Sequence, residues 1–274
     1  MTRRYITFNR KIASQKPSNQ DACPFCDQNQ LGQILERSGD MIWVENKFPT
    51  LEESYQTLVI ESGKHEGDLS NYSIEELHNL FSFIMEKWAE LEARDDFTSV
   101  VCYRNFGPQS GGSLRHPHTQ IVGFHDIDAY EDLDLDWFEG LAVNIASTNQ
   151  AQVLIATKPM VDFTEFCVRI NDLSQLADLA EMVGGVAAYL LQEFLGGNCH
   201  SYNVFFYKLG QGLACKLVPR FNVSPYQIGY GIHQVNNRES LEAISQDLGA
   251  FLAQRFSNKK KLFVNCSGLR KANI

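Results

Sequence analysis

Residues 107–124 have the sequence GPQSGGSLRHPHTQIVGF, in which a loop rich in glycine and serine leads into an apolar strand. Side chains on a strand alternate between the two faces of a sheet, so His116, His118 and Gln120 share one face. Each of these residues is about 6.8 Å from the next. Polar groups on an apolar strand are costly to bury without partners. An isolated His-x-His pair is more often a solvated sheet face, but the preceding glycines can approach a phosphate closely, which favours a phosphate site.

Length and composition exclude several classes of protein. The chain has 274 residues, is 44% hydrophobic and 21% charged, and carries a formal net charge of −9. This composition is that of a globular protein with a sizeable core, and the acidic balance argues against a nucleic-acid partner. No apolar run reaches the roughly 18 residues that span a bilayer, and the N-terminal segment lacks the apolar region of a secretory signal. The seven scattered cysteines are typical of a reduced, cytoplasmic protein.

The order of predicted elements repeats after about a hundred residues. The first series comprises strands at 41–48 and 57–62, a helix capped by Ser73 and Glu76, a strand at 99–103, the glycine loop and a strand at 116–124. The second series comprises strands at 152–157 and 166–170, a helix over 173–194, and strands at 202–209 and 214–221. A last helix is predicted at 238–255. We expect an α+β fold of two tandem repeats, with antiparallel sheets flanked by helices, in domains 1–125 and 126–274.

The stretch GGSLRHPHTQIVG at 111–123 resembles the active-site strand of the galactose-1-phosphate uridylyltransferase branch of the histidine-triad superfamily. Further stretches fit this family in the same order: CPFC at 23–26, ENKFPTLE at 45–52, the histidine of ESGKH at 61–65 and YRNFG at 103–107. The second half fits more loosely, through YNVFF, the PRF strand end and IGYG. The resemblance implies two histidine-triad-like repeats, which agrees with the repeated order of elements.

The resemblance implies a Zn²⁺ site formed by Cys23, Cys26, His65 and His116. Two cysteines and two histidines are a closed tetrahedral ligand set, which is typical of structural zinc. Such a site would attach the polar N-terminal segment to the strand that carries the catalytic histidine.

His118 is the nucleophile that the resemblance implies. Imidazole attacks phosphorus well at neutral pH, and the phosphoramidate that it forms is labile. Gln120 stands where a full histidine triad has its third histidine, and an amide cannot supply a proton to a leaving group. Phosphates leave without such a proton, so Gln120 favours transfer between phosphates over hydrolysis.

The same resemblance assigns substrate contacts. Its phosphate-loop residues are Asn105, Ser110, Gly111 and Ser113; its nucleoside-pocket residues are Asn46 and Phe48; and its basic phosphate contact is Lys16. From the residues alone, Phe48 could equally be a core side chain, and Lys16 an exposed, solvated lysine.

The second half departs from the family. Its last strand, ACKLVPRF at 214–221, has no histidine, so we expect no second metal. Gly231 stands where the family has a hexose-contacting glutamate, which argues against recognition of galactose. Lys216 and Arg220 are interpreted either as contacts for an extra phosphate or as solvated strand-edge charges.

These features predict a nucleotidyltransferase of carbohydrate metabolism. It would move a nucleoside monophosphate from a nucleotide sugar to a phosphate-bearing acceptor through a nucleotidyl-histidine intermediate. An ADP-sugar phosphorylase and a dinucleoside polyphosphate phosphorylase, with a dinucleotide as donor, remain alternatives because they use the same chemistry. A non-catalytic, zinc-containing nucleotide-binding protein would not need His118, and Gln120 disfavours a hydrolase. The family often forms dimers, which favours a homodimer.

Overall fold

The computed structural model describes residues 5–17, 22–161 and 163–268, with the backbone alone for 258–268. The strands are β1 (Ile34–Ser38), β2 (Met41–Glu45), β3 (Ser54–Ile60), β4 (Ser99–Phe106), β5 (His118–Phe124), β6 (Gly140–Ala142), β7 (Gln152–Ala156), β8 (Phe166–Ile170), β9 (Tyr202–Leu209) and β10 (Gly212–Pro219). The α-helices are α1 (Arg10–Ala13), α2 (Ile74–Glu92), α3 (Leu176–Gln192), α4 (Pro225–Tyr230) and α5 (Arg238–Gly268).

All ten strands join one antiparallel sheet, in the order β1-β2-β3-β5-β4-β9-β10-β8-β7-β6. The first five strands and the last five have the same internal order, and the two sets meet where β4 pairs with β9. The prediction of an α+β fold with two tandem repeats is therefore confirmed. The expected sheets are continuous with one another, because β4 and β9 share backbone hydrogen bonds, with Asn105 opposite Asn203.

The main core lies between one face of the sheet and the helices α2 and α3, which pack against each other. Ser73 and Glu76 form the predicted capping box: the Ser73 hydroxyl accepts from the Glu76 N–H at 3.1 Å, and the Glu76 carboxylate accepts from the Ser73 N–H at 2.7 Å. The apolar stripe of α2 is almost fully buried against the sheet; it includes Leu77, Phe81, Ile84, Trp88 and Leu91, each at most 1% exposed.

The opposite face of the sheet is covered in the second half by a segment that contains a short 3₁₀ helix, Leu135–Phe138. Phe138 packs there against strand side chains. Lys216 is fully buried beneath this segment, where its Nζ donates to the Trp137 carbonyl at 2.6 Å and pairs with the Glu165 carboxylate at 3.0 Å. Both interpretations of Lys216, as a phosphate contact and as a solvated charge, are therefore wrong.

Several predicted boundaries differ from the structure, and two of these differences have a clear local cause. β5 begins at His118 and not at His116, because Pro117 has no N–H to donate to a neighbouring strand. The last helix continues past residue 255 to Gly268, because 256–267 contains no proline or glycine that would end it. Over the described ranges, every helix is too short or too polar to cross a bilayer.

Candidate active site

A pocket opens on the face of the first half of the sheet that points away from α2 and α3. Its lining brings together seven of the predicted site residues: Lys16, Asn46, Phe48, Gly111, Ser113, His118 and Gln120. Apolar walls come from Phe25, Leu31, Val44 and Leu58, which the sequence did not single out for this role. The pocket therefore has a polar end at β5 and the glycine loop, and a mixed end between β2 and the N-terminal segment.

The two ring nitrogens of His118 differ in their hydrogen bonding. Its Nδ1 lies 2.8 Å from the backbone carbonyl of His116, and a carbonyl can only accept, so Nδ1 carries the proton. Nε2 has no hydrogen-bond partner among the described residues. Burial lowers the pKa of His118, against the smaller opposing effects of the His116 carbonyl and Glu61. The ring is therefore neutral at neutral pH, with a lone pair on Nε2.

The four predicted metal ligands converge on one point. The ligand atoms of Cys23, Cys26, His65 and His116 all lie within 4.8 Å of one another. The Nδ1 atom of His116 is 3.7 Å from the Cys23 Sγ and 3.5 Å from the Cys26 Sγ, and the Nδ1 of His65 is 3.4 Å from the Cys26 Sγ. Sulfur and nitrogen ligands of one tetrahedral zinc ion lie about 3.6 Å apart. The cluster can hold a metal ion.

The ring of His116 is oriented for this task by its second nitrogen. Nε2 lies 2.9 Å from the Ser62 carbonyl and must donate to it, which leaves Nδ1 without a proton on the side of the thiols. Phe25, between the two cysteines, meets the rings of His116 and His118 edge-on, with centroids 5.7 and 5.3 Å away. The cysteine turn is therefore packed directly against His118.

The glycine loop is shaped by residues of the second half. Gly107 has φ +82°, and a Cβ there would lie 2.1 Å from the His200 carbonyl oxygen, so this position requires glycine. The Gln109 N–H donates to the Ser201 hydroxyl at 3.0 Å. The buried Asn203 donates from Nδ2 to the Ser110 carbonyl at 2.9 Å and to the Asn105 Oδ1 at 2.6 Å.

Two of the predicted phosphate-loop residues therefore lie outside the pocket lining. Asn105 is bonded to Asn203, and the Ser110 hydroxyl donates to the Gly107 carbonyl at 2.7 Å. Both stabilise the loop from within, whereas Gly111 and Ser113 face the pocket.

The far end of the pocket contains the predicted nucleoside contacts. Asn46 accepts from the Phe48 N–H at its Oδ1, at 3.0 Å, which leaves its Nδ2 to donate. Phe48 is only half-buried and lines the pocket, so it is not an ordinary core side chain. Lys16 donates to the Thr50 hydroxyl at 3.4 Å, and partial burial lowers the pKa of its amine.

Comparisons with known proteins place the chain in a family. Two family models match it: the N-terminal domain of "Domain of unknown function (DUF4931)" over residues 8–127, and the C-terminal domain of the same family over residues 130–251. The chain belongs to the DUF4931 family. A DUF4931 protein of Bacillus cereus, known from a crystal structure, is 38% identical, with a TM-score of 0.71 and coverage of 80% of this chain and 99% of that one.

Similarities of this DUF4931 protein also extend beyond its own family. ADP-glucose phosphorylase of Arabidopsis thaliana has the same fold: 14% identity, a TM-score of 0.66, and coverage of 88% of this chain and 92% of that one. Galactose-1-phosphate uridylyltransferase of Streptomyces lividans is 26% identical over 106 residues, which are 38% of this chain and 30% of that protein. The resemblance to the uridylyltransferase branch of the histidine-triad superfamily is confirmed.

A buried polar network beside β5 is a feature of this DUF4931 chain that sequence reasoning missed. Arg104 donates to both carboxylate oxygens of Glu61, at 2.8 and 3.1 Å, and to Asp68 at 3.2 Å. Tyr202 donates to Asp68, and Thr119 donates to Glu61 at 2.8 Å. The sequence did contain a signal for this network, since each of two apolar strand patterns includes a charged residue: Arg104 in RNF and Glu61 in LVIE. The network attaches the strand of His118 to both halves of the sheet.

Proposed function

We propose that this protein is a nucleotidyltransferase. It takes a nucleoside monophosphate from a nucleotide sugar onto His118 and passes it to a phosphate-bearing acceptor. The observation that carries the proposal is the state of His118: Nδ1–H is bound to the His116 carbonyl, and Nε2 is a free nucleophile in a pocket beside a glycine loop. The relatedness to galactose-1-phosphate uridylyltransferase and the fold shared with ADP-glucose phosphorylase support the same chemistry.

The first half-reaction forms the covalent intermediate. The lone pair of His118 Nε2 attacks the α-phosphorus of the donor, and the bond from that phosphorus to the bridging oxygen breaks. The electron pair leaves with the sugar phosphate, which needs no proton from the enzyme. Positive charge develops on the imidazole ring as the phosphorus–nitrogen bond forms, and the His116 carbonyl stabilises it through the Nδ1–H bond.

The second half-reaction reverses these steps with a different oxyanion. A phosphate oxygen of the acceptor attacks the same phosphorus, the phosphorus–nitrogen bond breaks, and Nε2 recovers its lone pair. Gln120 lies two residues beyond His118 on β5 and donates to the phosphoryl oxygens in both directions. Gly111 and Ser113 line the side of the pocket where these oxygens would lie, and Lys16 adds positive charge.

We propose zinc as the ion at Cys23, Cys26, His65 and His116. The ligand set contains two thiolates and two imidazoles, and the spacing of its atoms fits one tetrahedral ion, so no position is left for substrate. The ion would therefore be structural. When bound, it would secure the cysteine turn, with Phe25, against the rings of His116 and His118.

The acceptor is the open part of the proposal, and Gly231 bears on it. This residue ends α4 with φ +66° and has no side chain to contact a sugar. We therefore propose that the acceptor is a phosphorylated compound other than galactose 1-phosphate. The alternative acceptor is inorganic phosphate, which would make the protein an ADP-sugar phosphorylase. The fold likeness to ADP-glucose phosphorylase favours that candidate.

Intact-protein mass spectrometry tests the covalent step. The protein is incubated with UDP-, ADP-, GDP- and TDP-sugars in turn, and we expect an adduct of one nucleoside monophosphate with one of these donors. The isolated adduct is then exposed to inorganic phosphate, galactose 1-phosphate and other sugar phosphates, and its rate of loss identifies the acceptor.

Two histidine variants make the result specific. His118→Ala should form no adduct. His125→Ala is the matched control: His125 follows the same strand and bonds to the Asp96 carbonyl at 2.8 Å, outside the pocket, so this variant should react like the wild type. An acid-labile adduct on the His118→Ala protein would contradict the proposed mechanism.

A further inference from the structure

The side-chain amide of Gln120 is hydrogen-bonded to a tyrosine on the neighbouring strand. Tyr103 lies directly opposite Gln120 in the pairing of β4 with β5. The Tyr103 hydroxyl donates to the Gln120 Oε1 at 3.0 Å. Gln120 lines the pocket, whereas Tyr103 lies outside the pocket lining, so the contact reaches the amide from the neighbouring strand.

The direction of this hydrogen bond follows from the chemistry of the two groups. Burial raises the pKa of Tyr103 to about 12, so its oxygen keeps its proton throughout the physiological range. Within the described part of the chain, the Gln120 Oε1 is the acceptor for that proton. If the amide were rotated by half a turn, its NH₂ group would meet the hydroxyl, and the hydroxyl proton would lose its acceptor.

We propose that Tyr103 is a positioning residue that fixes the amide of Gln120 with Nε2, and not Oε1, towards the reacting phosphoryl group. This inference rests on the proposed function. An amide NH₂ can donate to the anionic phosphoryl oxygens, whereas an amide oxygen would place lone pairs against them. Either orientation fits the same space, so the hydrogen bond to Tyr103, and not packing, selects the productive one.

The position of Tyr103 is itself set by the second half of the chain. Tyr103 pairs across the sheet with Phe205 of β9, and the two rings lie 6.3 Å apart with an interplanar angle of 31°. A glutamine amide with a fixed partner on a sheet strand has already lost its rotational freedom before substrate arrives, which is the property that a preorganised donor needs.

The test is Tyr103→Phe, which removes one oxygen and keeps the ring. The first measurement is the single-turnover rate of adduct formation on His118. The second is the dissociation constant of the donor, measured with and without Tyr103→Phe in protein that also carries His118→Ala, so that no adduct forms. We expect the rate to fall about five- to ten-fold and the dissociation constant to change less than about two-fold, because the fold and the pocket walls are unchanged. Tyr207→Phe is the control: Tyr207 lies on the same sheet face, burial raises its pKa to about 12 as well, and it bonds to Met160 and not to the site.

A double-mutant cycle separates positioning from a general loss of stability. Gln120→Ala alone should slow adduct formation about 100-fold, and adding Tyr103→Phe to it should slow the reaction no further, since there is no amide left to orient. Additive losses would overturn the inference, as would equal rates for Tyr103→Phe and wild type. If the wild type forms no adduct with any donor, the proposed function fails and the inference with it, whereas a reactive wild type with an unaffected Tyr103→Phe refutes the inference alone.

Discussion

Replacing Arg104 by methionine should strongly destabilise the protein. The guanidinium is 1% exposed, and its two partners are as deeply buried: the side chains of Glu61 and Asp68 are 0% and 4% exposed. Removing one member of a buried ionic group leaves uncompensated charge in the interior, which costs about 3 to 5 kcal/mol. Here two carboxylates lose the same cation, so we expect about 4 kcal/mol. For a chain of 274 residues this corresponds to a melting temperature lower by about 7 °C, at an unfolding entropy of roughly 2.1 cal/mol/K per residue.

The assay is urea denaturation followed by circular dichroism, with differential scanning calorimetry for the melting temperature. Arg94→Met is the matched control, because Arg94 also makes a two-point contact with a carboxylate, Asp96, but both side chains are about half exposed. Because solvent screens that exposed pair, its loss should cost far less stability than the loss of Arg104. Adding Glu61→Gln to Arg104→Met should restore part of the lost stability, because it removes one unpaired charge. If Arg104→Met cost no more than Arg94→Met, the network would not stabilise the fold in the way described.

Two further predictions concern the metal site and the glycine loop. Protein purified without chelator should contain about one zinc per chain; Cys26→Ser should lose the metal and melt at a lower temperature, and chelator should abolish the difference between the two. The prediction would be wrong if wild-type protein purified without chelator contained no zinc and melted at the same temperature as Cys26→Ser. Asn203→Ala should slow nucleotidylation of His118 by about ten-fold, because it frees the Ser110 carbonyl and the Asn105 amide. Asn198→Ala, an exposed asparagine bonded to the Leu195 carbonyl, should react like wild type, and equal rates for both variants would exclude a role for Asn203.

Local sequence was sufficient for the elements that local chemistry defines. The capping box at Ser73, the helical stripe from Leu77 to Leu91 and the strand after the glycine loop were all readable, because each depends on residues within a few positions of one another. The convergence of Cys23, Cys26, His65 and His116 was expected from the resemblance, and the structure brings the four together. The roles of His118 and Gln120, and the boundary between domains 1–125 and 126–274, remain predictions.

The environment of Lys216 could not be predicted from local sequence. The sequence favoured either a phosphate contact or a solvated charge, but the pattern of a strand does not say what covers its face. The segment with Trp137 and Phe138, about eighty residues earlier in the chain, buries Lys216 against Glu165. A charge that would be solvated on an open sheet is thereby enclosed in an ion pair.

The sequence by itself determined the repeated order of elements and the histidine on the strand after the glycine loop, because motif spacing and hydrophobic period are short-range properties of the chain. The metal-ligand set was implied by the family resemblance, and the structure brings its four residues together. The tertiary structure alone decided that β4 pairs with β9, and this pairing places Asn203 under the glycine loop and Phe205 beside Tyr103. Those contacts join residues about a hundred positions apart. Their register depends on the packing of the whole sheet against α2 and α3, and no local pattern carries that information.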